Sequence, residues 1–71
     1  MKKKFKQRLP PVKVGEEYEV DIIGVGEKGD GLTKVKGFVL FVPNAREGEH
    51  KRIRVTKVLR KVGFAEIIEE G

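Results

Sequence analysis

The sequence predicts an all-β domain, a small five-stranded antiparallel barrel behind a flexible basic N-terminal arm. Three observations carry that reading. Two segments, EYEVDI and HKRIRV, alternate polar and apolar residues at period two. Glycine-rich turns (KGDG, KG) and a Pro-Asn stop separate short apolar runs. The chain has 71 residues and no cysteine, so five strands must protect their edges by closing on themselves rather than by a large core or disulfides.

The elements follow in order. Residues 1–12 read as the arm: MKKKFKQRLPP is cationic, and Pro10-Pro11 favours extended backbone. The domain proper is expected over 13–71. In EEYEVDIIGV, Tyr18, Val20 and Ile22 alternate with Glu17, Glu19 and Asp21, which is a first strand with one wet face. EKGDG is a hairpin turn, with Asp30-Gly31 supplying left-handed backbone. LTKV, Leu32 to Val35, is the second strand. Lys36-Gly37 turns the chain into the third, FVLFV. Pro43-Asn44 stops it. The fourth strand, HKRIRVTKV, sends Ile53 and Val55 one way and Arg52, Arg54 and Thr56 the other. GFAEII is the fifth. Over IRVTKVLRKVG a basic amphipathic helix also fits, with Val55, Val58, Leu59 and Val62 on one face. The β-branched content favours strand.

Parity sorts the aromatic rings. Phe38, Leu40 and Val42 share one face of the third strand; Val39 and Phe41 share the other. Both are apolar, so periodicity alone does not say which is inside. Lys36 has the parity of Phe38 and leans it outward; the purely apolar Val39/Phe41 pair then packs inward. In the last strand Glu66 prefers water, which draws Phe64 out and places Ala65 and Ile67 in. An exposed Phe38 and Phe64 would offer stacking surfaces to unpaired bases.

The charge is segregated. The net formal charge is +5. Residues 1–13 contain six cations and no acid, whereas 14–71 contain ten cations and eleven acids. Within that body, Val14 to Gly31 is acidic and Leu32 to Ala65 is cationic. A bipolar body with a cationic tail implies a polyanion partner met by one side.

Other chemistry is weakly represented. His50 is the lone histidine, without cysteine partners for zinc, and reads as a surface residue that can stack a base. GVGEKG fits GxGxxG by letters only, with no βαβ unit around it. Glu17, Glu19 and Asp21 read as a solvated face rather than an acid–base pair. No nucleophile–base set is present, so no enzyme, cofactor or metal is expected. No apolar run reaches a membrane span and no signal peptide opens the chain; with no cysteine, a cytoplasmic location is expected.

Five pieces in order, GEEYEV, KGDGLTKV, GFVLFVPNAREGE, KRIRVTKV and FAEII, resemble a TRAM domain. The resemblance spans Gly15 to Ile68. It implies an OB-like small β-barrel that binds RNA, and favours strand over helix at 54–64. TRAM domains usually accompany tRNA-modifying enzymes; without a catalytic segment the chain looks like the stand-alone archaeal TRAM proteins, regarded as RNA chaperones comparable in role to cold-shock proteins. KGFVLF is also similar to the cold-shock KGFGFI pattern, with Leu40 at the second exposed ring and Phe41 at a buried aliphatic place.

The sequence therefore leads to a non-enzymatic, monomeric binder of RNA, mainly single-stranded and with little sequence preference. It would melt RNA secondary structure. The alternative is an RNA-docking module that contacts tRNA, the ribosome or a tRNA-modifying enzyme. Phe38, Phe64 and His50 would stack bases, and Lys34, Lys36, Arg46, Arg52, Arg54, Lys57, Arg60 and Lys61 would contact phosphates or base edges. The Lys-rich arm would add sequence-independent affinity.

Overall fold

A computed structural model describes residues 9–68; the cationic residues assigned to the arm at positions 2–8 lie outside them. The described chain is all β: β1 (Glu17–Asp21), β2 (Gly24–Val25), β3 (Gly31–Val35), β4 (Phe38–Val42), β5 (His50–Val58) and β6 (Val62–Ile67). The HKRIRVTKV segment is strand to Val58, so β-branching prevails over the helical spacing.

The six strands form one curled sheet in the order β1-β5-β6-β4-β3-β2. β1 and β2 are two halves of one bent strand. The first half pairs with β5 and the second with β3. The bend is held by the Ile23 N–H on the Leu32 carbonyl at 2.8 Å and by the Thr33 hydroxyl on the Asp21 carbonyl at 2.8 Å. Because one bent strand serves both ends of the sheet, the sheet curls into a barrel-like form, and the expected five strands become six.

The expectation of a purely antiparallel barrel needs correction, because β4 and β6 are parallel. The chain reverses at β2–β3, at β3–β4 and again at β5–β6, while β5 lies against β1 rather than β4. β6 therefore runs in the direction of β4 when it fills the gap between β4 and β5.

The core is Val12, Val20, Ile22, Val35, Phe38, Leu40, Val42, Ala45, Ile53, Val55 and Ala65, with Thr33 as its buried polar member. Val12 belongs to it, so the packed domain takes in the last residue assigned to the arm. Ile53 and Val55 point inward and Arg52 and Thr56 outward, as alternation required. The entry to β1 is tied down by Glu16. Its carboxylate accepts from the Tyr18 hydroxyl and from the Lys13 N–H, which hold it below the ordinary carboxylate range.

Two local devices set the register. Lys36 and Gly37 both have positive φ, 56° and 82°, as a two-residue type I′ hairpin requires. Val35 therefore pairs with Phe38 and Lys34 with Val39. In β5 a bulge lies between Val55 and Lys57. The extra residue, Thr56, donates its hydroxyl to the Phe64 carbonyl at 3.2 Å. Parity resets beyond it, so Lys57 lies beside Phe64 and Val58 beside Gly63.

Phe38 corrects the ring assignment: it is 8% exposed and packs in the core with Leu40 and Val42, which are fully buried. Gly63 makes the room. A Cβ there would lie 2.8 Å from Leu40 Cδ2, 2.9 Å from the Lys57 carbonyl oxygen and 3.3 Å from Phe38 Cε2. The oxygen belongs to the backbone and cannot swing aside. Gly63→Ala is therefore expected to lower stability by about 1–3 kcal/mol, the usual cost of overpacking. Urea unfolding followed by circular dichroism would register it as a lower midpoint.

Candidate nucleic-acid interface

The outer surface of the sheet divides into two regions of different chemistry. The first is an ion-pair ladder across β1, β5 and β6. Register sets Glu17 opposite Arg54, Glu19 opposite Arg52, Asp21 opposite His50 and Glu66 opposite Arg54. Arg54 lies 3.1 Å from Glu17 and 3.4 Å from Glu66; Arg52 lies 3.4 Å from Glu19 and 3.9 Å from Glu17. His50 lies 2.7 Å from Asp21 and 3.6 Å from Glu19.

The ladder revises the electrostatic picture drawn from sequence. There, Glu17, Glu19 and Asp21 were a separate solvated face, Arg52 and Arg54 were cations open to RNA, and His50 was a base-stacking surface residue. The pairing of β1 with β5 puts both sets on one surface, where four carboxylates face two arginines and one histidine. Such exposed pairs add little stability, about 0–1 kcal/mol each. Their effect is on charge: this part of the sheet carries no excess of positive charge.

The neighbouring carboxylates also act on His50. The hydrogen bond to Asp21, then the one to Glu19, holds its pKa above the ordinary 6.5. A raised folded-state value means that the His50 contribution to stability is fully present below about pH 6.5. It is lost as pH rises through the folded-state value. An NMR titration of the imidazole is expected to give a pKa above 6.5, and Asp21→Asn is expected to move it down.

The second region spans β3, β4 and β6. Leu32, Phe41 and Phe64 lie in one row across the three strands, continued by Lys57 on β5. Lys34, Val39 and Val62 form the next row, which runs toward Arg60 and Lys61 in the β5–β6 turn. Phe41 and Phe64 are half-buried, with ring centroids 5.4 Å apart and planes at 30°. Each ring keeps part of its surface open. Lys34, Lys57, Arg60 and Lys61 are exposed. Among the described residues, no carboxylate is within 4.0 Å of these four cations.

The aromatic row borders a groove of ≈ 450 Å³ lined by Gly26, Glu27, Lys28, Asp30, Phe41 and Phe64. The turn that walls it is pinned by the Gly26 N–H on the Asp30 carbonyl and the Gly29 N–H on the Gly26 carbonyl, at 2.8 and 3.0 Å.

The structure thus brings together Lys34, Lys57, Arg60, Lys61 and Phe64 from the expected contact set. It engages His50, Arg52 and Arg54 with carboxylates and buries Phe38. Lys36 sits in the β3–β4 turn and Arg46 in the loop after β4, both exposed. Phe41, expected to plug the barrel, is the ring that shares the surface with Phe64. Its signal lay in Lys34: across a two-residue hairpin, an outward Lys34 makes Val39 outward, and Phe41 two residues on. Among the described residues no cluster of side chains could hold a metal, and no helix is long and apolar enough to cross a membrane.

Comparison with known proteins identifies the architecture. The TRAM domain profile matches residues 11–68. The chain belongs to the TRAM domain family. TRAM domains are RNA-binding modules, so RNA is the ligand class for this chain. A solution structure of a conserved protein from Methanococcus maripaludis superposes with a TM-score of 0.80 at 46% identity, covering 86% of this chain and 87% of that one. An uncharacterized protein of Methanocaldococcus jannaschii is 47% identical over 62 residues, 87% of this chain and 80% of its own length. Larger proteins also match. The ribosomal RNA large subunit methyltransferase E of Haloquadratum walsbyi is 44% identical over 83% of this chain, which spans 23% of that enzyme. The translation initiation factor 2 subunit beta of Thermoplasma acidophilum is 45% identical over 84% of this chain, which spans 29% of the factor.

Proposed function

We propose that this TRAM domain binds single-stranded RNA without catalysing a reaction, and that it acts in the cytoplasm as a monomeric RNA chaperone. The observation that carries the reading is the Phe41–Phe64 pair, half-exposed in a row that ends in Lys57 and lies beside the Lys34 row. A base has a π-face whatever its identity, so aromatic rings beside cations take single strands with little sequence preference. In OB-type barrels, ligands cross the face of the second and third strands, between the loop after the first strand and the loop after the fourth. Counting β1 and β2 as one strand, these are β3, β4, the 26–30 turn and the β5–β6 turn.

Phe41 and Phe64 stack bases. Lys34, Lys57, Arg60 and Lys61 neutralise phosphates, and Lys36, Arg46 and the Lys-rich arm add long-range attraction. A duplex keeps its base faces stacked internally, so binding favours the open strand. The hairpin equilibrium then shifts by mass action without a nucleotide cofactor.

A second reading is favoured by the methyltransferase and initiation-factor relatives, in which a matching segment is a fraction of a larger protein. Here the domain docks on folded tRNA or ribosomal RNA, and the ion-pair ladder faces a protein partner.

An RNA hairpin carrying a fluorophore and a quencher at its ends separates the two. The chaperone reading expects dequenching on addition of protein, with log affinity falling against log salt at a slope of roughly −2 to −3 for three or four phosphate contacts. A hairpin that stays closed while bound supports the docking reading. A flat salt response contradicts both.

A further inference from the structure

We infer that the groove beside Phe41 is a pocket for a single base and that it selects guanine. The inference rests on the RNA-binding reading and adds a base preference to it. Three observations meet at this groove.

The first is an open aromatic wall. Gly26 does not have a positive φ, so its backbone conformation does not itself require glycine. A Cβ there would meet Phe41 Cε1 at 3.5 Å and Leu32 Cδ2 at 3.8 Å, ordinary contact distances. Packing therefore does not demand glycine at 26 either. What the missing side chain does is leave the edge of Phe41 uncovered.

The second is the charge of the opposite wall. Glu27, Lys28 and Asp30 line it, two carboxylates against one ammonium. A net negative wall repels phosphate. The backbone of a bound strand is accommodated instead along Lys34, Lys57, Arg60 and Lys61, and the groove is left for the base.

The third is the hydrogen-bonding pattern. Carboxylates only accept, and an ammonium only donates. Guanine presents two adjacent donors, N1–H and the 2-amino group, beside the O6 acceptor. It can satisfy a carboxylate with both donors while O6 takes the lysine. Adenine and cytosine offer a single amino group beside an acceptor, and uracil sets carbonyls on both sides of its one N–H. Phe64 completes the stacking surface on which the base rests.

The test uses fluorescence anisotropy with a labelled uridine oligonucleotide and versions whose central residue is guanosine, inosine, adenosine or cytidine. Guanosine is expected to bind on the order of tenfold tighter than uridine, the discrimination usual for a bidentate contact. Inosine lacks the 2-amino group and is expected to fall between them. In the Glu27→Gln/Asp30→Asn double variant the guanosine-to-uridine ratio is expected to fall toward one. Gly26→Leu, which fills the groove while leaving the turn conformation accessible, is expected to remove the preference independently. Equal affinity for all five oligonucleotides would overturn the guanine pocket and leave RNA binding standing. Absence of binding to any of them would overturn both readings.

Discussion

Phe38→Ala is expected to lower the unfolding free energy by about 3–5 kcal/mol, the range for deleting a buried aromatic side chain. Phe38 is 8% exposed and lies over Gly63, with Cε2 3.3 Å from where a Cβ would stand. The strands that border it, β3 and β6, are hydrogen-bonded to β4 along its two edges, and Gly63 has no side chain to swing in. Folded domains have a total stability of only about 5–15 kcal/mol, and small ones sit at the low end. Urea unfolding should therefore show a large drop in midpoint, or a variant largely unfolded in buffer. A reading that places Phe38 on the RNA surface expects the reverse, a stable fold with weakened binding.

The second large effect concerns the other two rings. The Phe41→Ala/Phe64→Ala double variant is expected to lose about 1–3 kcal/mol of RNA binding for each base stacked. Its fold should suffer less than that of Phe38→Ala, because both rings are only half-buried. The rings touch each other, at 5.4 Å between centroids, so their single-variant losses should not add. Removing one ring also takes a wall from the other. Titrations of the two single variants and the double variant against one unstructured oligonucleotide would show the coupling.

Most of the architecture was legible because each strand has a wet face or a bounded apolar run. Alternation in EYEVD and HKRIRV placed Val20, Ile53 and Val55 inside. The KGDG and KG turns divided the rest, and Glu66 correctly turned Phe64 outward. The site was less legible, for two physical reasons. The β4 strand FVLFV is apolar on both faces, so its parity had to be borrowed from a neighbour. Lys36 was the wrong neighbour, since it sits inside a tight turn where strand alternation does not hold; Lys34, paired with Val39 through that turn, was the right one. The second reason is tertiary. A residue's charge in isolation does not say what lies opposite. Arg52 and Arg54 look free for phosphate until β1 is laid against β5 and each finds a carboxylate.

The bulge in β5 is a further feature hidden from alternation. It turns Lys57 to the side of Phe64, where it extends the aromatic row with a cation. Unbroken alternation from Val55 through Thr56 would instead turn Lys57 to the interior and Val58 to the solvent.

RNA is expected on the β3-β4-β6 surface around Phe41 and Phe64, and not on the β1-β5 ladder. Backbone amide NMR shifts on adding a short unstructured RNA test it most directly. The largest changes are expected at Leu32, Val39, Phe41, Lys57, Val62 and Phe64 and in the 26–30 turn, with Glu17, Glu19 and Arg52 nearly unmoved. Changes concentrated on Glu17, Glu19, His50 and Arg52, with Phe41 and Phe64 silent, would contradict it.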